Sequence, residues 1–299
     1  KQVIIQGIRD AERGLLYQEF NSKECEILSA VVSKVEQNGN ATLEIGKSEA
    51  VLIKNEQIPG EVLKEGDRIK IYVVEVRKTQ RGPQVLISRT HPGLVKRLFE
   101  MEVPEIFEGV VEIKSIAREA GSRTKIAVYS KDENVDAVGA CIGSKGQRIA
   151  VICDELNGEK IDIIKYSDNI EEFIAQSLAP ATIISVLADE AEKSCSVVVS
   201  DDQLSLAIGK EGQNARLAAK LTGFKIDIKS ESQAKEEGIQ YVFDDDEYYD
   251  DEYYDDEYDA EYDDEYYDDE YDSESEADSE ESEEVTEETS EATTEETEE

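Results

Sequence analysis

Along this chain the spacing of apolar residues changes period twice. Between residues 3 and 20, Ile4, Ile8, Ala11 and Leu15 recur at i, i+4, i+7 and i+11 and predict one face of a helix. A lone helix this short is marginal in water, so it is expected to pack on chain lying upstream. From 25 to 89 the period falls to two. Ala41, Leu43 and Ile45 alternate with polar neighbours, as do Ile69, Ile71 and Val73, and then Val85 and Ile87. Turn residues (Asn38-Gly39-Asn40, Gly46-Lys47, Pro59-Gly60, Gly66-Asp67, Gly82-Pro83) separate the runs. Short strands at this spacing, about five of them with no helix between, predict a five-stranded β-barrel of the OB type. The alternation slips between Val73 and Val74, where a bulge would bend the strand as a small barrel requires.

From residue 93 the pattern becomes mixed α/β. It predicts a helix over Leu94–Met101 ended by Pro104, and strands over Val110–Ile116 and Lys125–Tyr129 joined across Ala120-Gly121-Ser122. A helix (Val135–Cys141), a turn (Gly143–Gly146), a second helix (Gln147–Leu156) and a strand (Lys160–Tyr166) follow. Residues 170–230 repeat that order: helix Ile170–Leu178, strands Thr182–Ala188 and Ser194–Val199, helix Gln203–Ile208, turn Gly209–Gly212, helix Ala215–Leu221 and strand Lys225–Lys229. Each copy carries the same phrase, CIGSKGQRIAVICDELNGEKIDI at 141–163 and AIGKEGQNARLAAKLTGFKIDI at 207–228. A whole α-β-β-α-α-β unit is duplicated in tandem.

The shared Ile-Gly-x-x-Gly has a physical purpose. Glycine admits positive φ, and a helix begins directly after the turn, so its unpaired N–H groups and positive dipole end face whatever lies there. A phosphodiester suits that place. KH domains use such a GxxG loop to clamp the backbone of about four nucleotides while the bases lie in a neighbouring groove. One copy alone is a weak signal and is more often a plain helix connection; two copies in matching units favour the clamp. A nucleoside-triphosphate loop is excluded by spacing, since G-x-x-x-x-G-K-[ST] begun at Gly139 needs glycine where Ser144 stands. The candidate contacts are Gly143, Ser144, Lys145 and Gly146 in the first turn, and Gly209, Lys210, Glu211 and Gly212 in the second. Lys145 and Lys210 are expected to face phosphate, with Glu211 weakening the second clamp. Gln147, Arg148, Gln213, Asn214 and Arg216 open the following helices and can donate to phosphate or base edges; the bland reading of Arg216 is a solvated helix charge.

Charge divides the chain sharply. Of 72 acidic residues in the 299, 33 lie from Asp244 onward, where there is no Lys or Arg; the preceding residues hold 39 acids and all 32 basic residues. The acidic stretch, with nine tyrosines and almost no aliphatic side chains, is expected to be disordered and to compete with RNA for basic surface. Against that background residues 68–97 carry eight basic residues and one acid, Glu75. Arg68, Lys70, Arg77, Lys78, Arg81, Arg89, Lys96 and Arg97 are expected to form a stripe beside an outward-facing Tyr72, a groove that holds single strands by charge and stacking; the plainer alternative is a solvated charged face. Lys114, Arg118, Arg123 and Lys125 extend the charge into the first α/β unit. Four cysteines without a CxxC pair, and one histidine, His91, predict no metal and no cofactor, and a reducing, cytoplasmic setting. No apolar run approaches the roughly 18–20 residues of a membrane span.

Longer stretches of text resemble a known family. VRKTQRGPQVLISRTHPGLVKRLFEMEVPEIFEGVVEIKSIAREAGSRTKIAV at 76–128, VGACIGSKGQRI, ELNGEKIDII and LSLAIGKEGQNARLAAKLTGFKIDIKSES are similar to the bacterial NusA family of transcription elongation and termination factors, over about residues 1–232. The resemblance implies an S1 domain, two KH domains packed into one RNA-binding surface, and action on RNA polymerase at pauses and terminators. It implies these divisions: 1–22 as the last helix of a truncated N-terminal domain, 23–91 as S1, 92–168 and 169–232 as the KH domains, 233–299 as the acidic tail. Family members bind polymerase through that N-terminal domain, of which the chain, beginning at Lys1, is expected to be missing most. The expectation is a monomeric, non-enzymatic factor that engages nascent single-stranded RNA, with other elongation factors as further partners. Two alternatives remain: the KH/S1 module of an RNA-processing or RNA-decay machine, and an acidic chaperone acting through its tail.

Overall fold

The protein's structure, a computed structural model, describes residues 2–46, 48–79 and 82–238. A first helix, α1 (Gln2–Asn21), leads into five strands: β1 (Ile27–Val35), β2 (Ala41–Ile45), β3 (Ser48–Leu52), β4 (Arg68–Thr79) and β5 (Gly82–Ser88). They pair antiparallel in the order β3-β2-β1-β4-β5 and curl into a nearly closed barrel. The period-two residues do what alternation demands: Ala41, Leu43, Ile45, Ile69, Ile71, Val73 and Ile87 all point into one core. The bulge falls where the alternation slips. The β4–β5 register shifts between Val73 and Glu75, leaving Val74 on the outside and returning Val76 to the core.

Two details of the expected helices are corrected. Leu15 is 68% exposed, and α1 meets the barrel through Leu16, Tyr17 and Phe20 instead. Only Phe20 of these is fully covered. The side chains of Ile4 and Ile8, the whole of Arg81 and the acidic residues 239–299 lie outside the described residues. Further along, α2 (Pro92–Glu102) starts on Pro92 with the His91 ring nitrogen accepting from Gly93 N–H. Pro104 does not only end it. It opens a second short helix, α3 (Pro104–Phe107), since proline's missing N–H costs nothing at a first helical position.

The first α/β unit continues with β6 (Val111–Glu119), β7 (Arg123–Ser130), α4 (Ala137–Ile142), α5 (Gln147–Glu155) and β8 (Lys160–Lys165). Its sheet runs β6-β7-β8, antiparallel then parallel. A parallel neighbour needs a long crossover, which the α4–turn–α5 segment supplies. The second unit is α6 (Ile170–Ser177), β9 (Ser185–Asp189), β10 (Ser194–Val199), α7 (Leu204–Ile208), α8 (Gln213–Thr222) and β11 (Lys225–Ser230), with the same antiparallel-then-parallel sheet. Order continues past the expected boundary at 232: Ser230 and Gln233 form a reciprocal capping box that starts α9 (Glu231–Glu236), and Ala234 is buried.

Two of the four cores sit inside the barrel and the second α/β unit; a third runs from the barrel residues Ile58 and Tyr72 into the first α/β unit, and the fourth joins the two α/β units. Ala117, Ala127 and Ile164 from the first sheet pack with Phe173, Leu217 and Leu221 of the second unit. Fully burying an aliphatic side chain of this size stabilises by about 1.5–3 kcal/mol, so α8 is fixed against the neighbouring sheet as well as in its own unit.

Candidate nucleic-acid interface

Both repeated turns fold the same way to within a few degrees. Gly143 has φ 73 and ψ 175, Gly209 φ 76 and ψ 170. The third residue of each turn is a non-glycine in the left-handed region, Lys145 at φ 54 and Glu211 at φ 52, and the closing glycines Gly146 and Gly212 follow at φ 74 and φ 72. Gly146 N–H donates to Gly143 O, and Gly212 N–H to Gly209 O, both at 3.1 Å. A left-handed non-glycine residue costs roughly 1–2 kcal/mol, and both turns carry that cost at the matched position. No side chain caps α5 or α8, so each helix start leaves its first N–H groups to the turn's surroundings.

The side chains around this shared backbone differ. Ser144, Lys145, Gln147, Lys210 and Glu211 are exposed, and among the described residues no ion pair engages Lys145 or Lys210. Arg148 donates to Glu105 at 2.9 Å and to the Ala140 carbonyl at 2.6 Å, and its stem lies where a Cβ on Gly143 would come within 2.7 Å. Its work is to brace the turn. Asn214, expected at the nucleic acid, is 4% exposed: its amide donates to Leu178 O and Ala207 O, so it ties the second turn to α6 and α7. Gln213 and Arg216 are held by Glu119 of the first unit.

The basic stripe is broken by its own neighbours. Tyr72 does leave the barrel, as the alternation requires, but α2 covers that face: the ring is 7% exposed and stacks on His91 with centroids 4.7 Å apart. Gly93 permits this, since a Cβ there would lie 2.4 Å from the Tyr72 ring. Burial pushes the phenol up to about 12. Tyr72 is therefore an interface residue and not a stacking platform. Arg118 is likewise buried, its side chain 1% exposed and paired with a Glu159 of 0% exposure. Glu159 also accepts from Thr124 and Gly121 N–H, and Arg118 donates to His91 O, a fully bonded cluster that clamps barrel to α/β unit. Arg89 is spent in the same way on Glu61, Glu155 and two carbonyls. Arg123 makes a two-pronged pair with Asp162, at 2.8 and 3.0 Å, yet still lines the groove beside the second turn. Arg77 pairs with Glu75, Lys78 stands over the Tyr17 ring, Lys70 is half-buried, and Arg68 and Lys96 remain exposed.

Sequence reasoning missed the acids that hold these cations: Glu61, Glu105, Glu119, Glu155, Glu159 and Asp162. One signal was available. Glu159 stands in Gly-Glu-Lys where the second copy has Gly-Phe-Lys, and Phe224 is buried. A charge at a position its duplicate fills with an aromatic needs a buried partner.

Comparison with known proteins agrees with this layout. Residues 23–88 match the S1 RNA binding domain, 89–166 the NusA-like first KH domain, and 170–236 the NusA-like second KH domain. Relatives named transcription termination/antitermination protein NusA include that of Bacillus subtilis, 56% identical over 239 residues, covering 80% of this chain and 64% of that protein. The Thermus thermophilus protein is 49% identical over 226 residues, 76% of this chain and 58% of its own length. The Mycobacterium tuberculosis protein is 49% identical over 240 residues, 78% of this chain and 69% of its own length. The chain belongs to the NusA family. It spans less than two thirds of the first two of these NusA relatives, 64% and 58% of their lengths. Among the described residues no helix is long and apolar enough to cross a membrane.

Proposed function

We propose that the chain binds nascent single-stranded RNA as the S1–KH–KH part of a transcription factor that modulates pausing, termination and antitermination by RNA polymerase. It does so without catalysis, as a monomer in the cytoplasm, with polymerase and other elongation factors as its protein partners. The observation that carries this reading is the pair of GxxG turns with one backbone geometry, each opening an uncapped helix beside an exposed lysine. The names of the relatives support it. In this arrangement phosphates meet the N–H groups of α5 and α8, Lys145 and Lys210 supply charge, and Gln147 reaches along the strand. Arg148, Asn214 and Arg118 build the surface without touching RNA.

Fluorescence anisotropy with a labelled single-stranded RNA of mixed sequence tests this reading. Affinity is expected to fall steeply with salt, and Lys145→Asp to weaken it about tenfold while circular dichroism stays unchanged. Retained affinity in a folded Lys145→Asp, Lys210→Asp double variant overturns it.

A further inference from the structure

Glu119 ends β6 of the first KH unit, yet its carboxylate faces the turn of the second. Oε1 accepts from Arg216 Nε at 2.6 Å, and Oε2 accepts from Arg216 Nη2 at 3.2 Å and from Gln213 Nε2 at 2.8 Å. Gln213 also donates to Ser122 Oγ at 2.7 Å, in the same hairpin tip. Arg216 uses its remaining nitrogen on the Glu211 carbonyl at 3.0 Å, the peptide of the left-handed residue in the turn. One domain's acid thus fixes a guanidinium that fixes the other domain's strained peptide. The first turn is built differently: the position matching Arg216 is Ala150, and its brace, Arg148, is held by Glu105 from α3.

A second chain of bonds reaches the same place. Lys125 of the first unit, fully buried, pairs with Asp162 at 3.1 Å and donates to Ala179 O at 2.8 Å, one residue beyond the carbonyl that anchors Asn214. The apolar seam then presses Leu217 and Leu221 of α8 onto the first sheet. Within its own unit the start of α8 is tied by Asn214 to Leu178 O and Ala207 O; its side-chain braces at Gln213 and Arg216, and its apolar seam, belong to the first unit.

We propose that Glu119 is a positioning residue for RNA at the second turn, so that the second KH unit presents a working clamp only while docked on the first. This rests on the RNA-binding reading above. Glu119 itself touches no RNA. It holds Gln213 and Arg216 so that the groove lined by Arg123, Ser205, Lys210 and Gln213 keeps its shape.

Photocrosslinking of the full chain to a mixed-sequence single-stranded RNA carrying 4-thiouridine, with mapping of the crosslinked residues, tests this. Glu119→Ala is expected to lower the yield at 209–214 about fivefold and to leave that at 143–148 within about twofold. Glu119→Gln keeps an acceptor for Arg216 and should fall between. In the absence of RNA, amide hydrogen exchange at 210–214 is expected to speed up in Glu119→Ala. Unchanged crosslinking at the second turn, or an equal fall at both turns, overturns the proposal. Should Glu119→Ala not fold, Arg216→Lys, which keeps the charge and loses the two-pronged geometry, is read by the same two outcomes. A wild-type protein that crosslinks at neither turn overturns the RNA-binding reading itself, and the exchange comparison then still decides whether Glu119 shapes the second turn.

Discussion

The two KH turns share a backbone and differ in how they are supported. The first is braced by Arg148 from the helix it opens and by Glu105 from the linker helix, and it presents Ser144 and Lys145. The second presents Lys210 and Glu211; Asn214 braces it within its own unit, and Gln213 and Arg216 cross a domain boundary to Glu119. Duplication has kept the dihedral angles and redistributed everything that gives them charge and rigidity. A clamp is thus two separable things, a glycine-permitted path and a set of braces, and only the first repeats.

The largest effect expected from this contrast is at the seam. Leu217→Ala removes a fully buried side chain between α8 and the first sheet and should cost about 2–5 kcal/mol in urea unfolding. A cost near that of a surface change would mean that the second unit stands alone. Next come the entry glycines. Alanine at either 143 or 209 is strained by positive φ, by about 1–2 kcal/mol. At Gly209 the new Cβ also meets Asn214 backbone N at 2.9 Å, whereas at Gly143 it meets the flexible Arg148 stem. Gly209→Ala should therefore be the more destabilising by about 1 kcal/mol or more; equal thermal shifts would erase the contrast.

A smaller effect concerns the exposed third residue. Glu211→Lys gives the second turn the charge of the first and is expected to tighten RNA binding about threefold and steepen its salt dependence by about one counterion. The last is a pH effect on stability. Arg216 holds the Glu119 carboxyl down to about 2, well below its ordinary value of 4.5. A carboxyl depressed in the folded state contributes stability that is present above pH 4.5 and lost as pH falls toward 2. After solvent screening this is on the order of 1 kcal/mol. Wild type should thus lose its advantage over Glu119→Gln in acid, with the two curves parallel at neutral pH.

Much of the layout was legible in the residues. Period two located β2, β4 and β5 and even the bulge after Val73, while β1 and β3 entered only in the count of about five; the repeated phrase located both turns with their glycines. Tyr72 shows the limit. Its outward phase was readable from Ile71 and Val73, but what stood outside was not, because α2 arrives from elsewhere in the chain and puts His91 on the ring. Arg118 and Arg89 show the same limit for charge: their partners lie 41 and 28 residues away in sequence, beyond the reach of any local pattern.

Local chemistry alone settled most of the elements, the duplication and the glycine path, since dihedral limits and side-chain period act between near neighbours. The folded arrangement alone decided which cations are spent on carboxylates and which face solvent. Pairing across a domain boundary depends on distances that only packing sets, and those distances separate Lys145 from Arg118 and the self-supported clamp from the one that leans on Glu119.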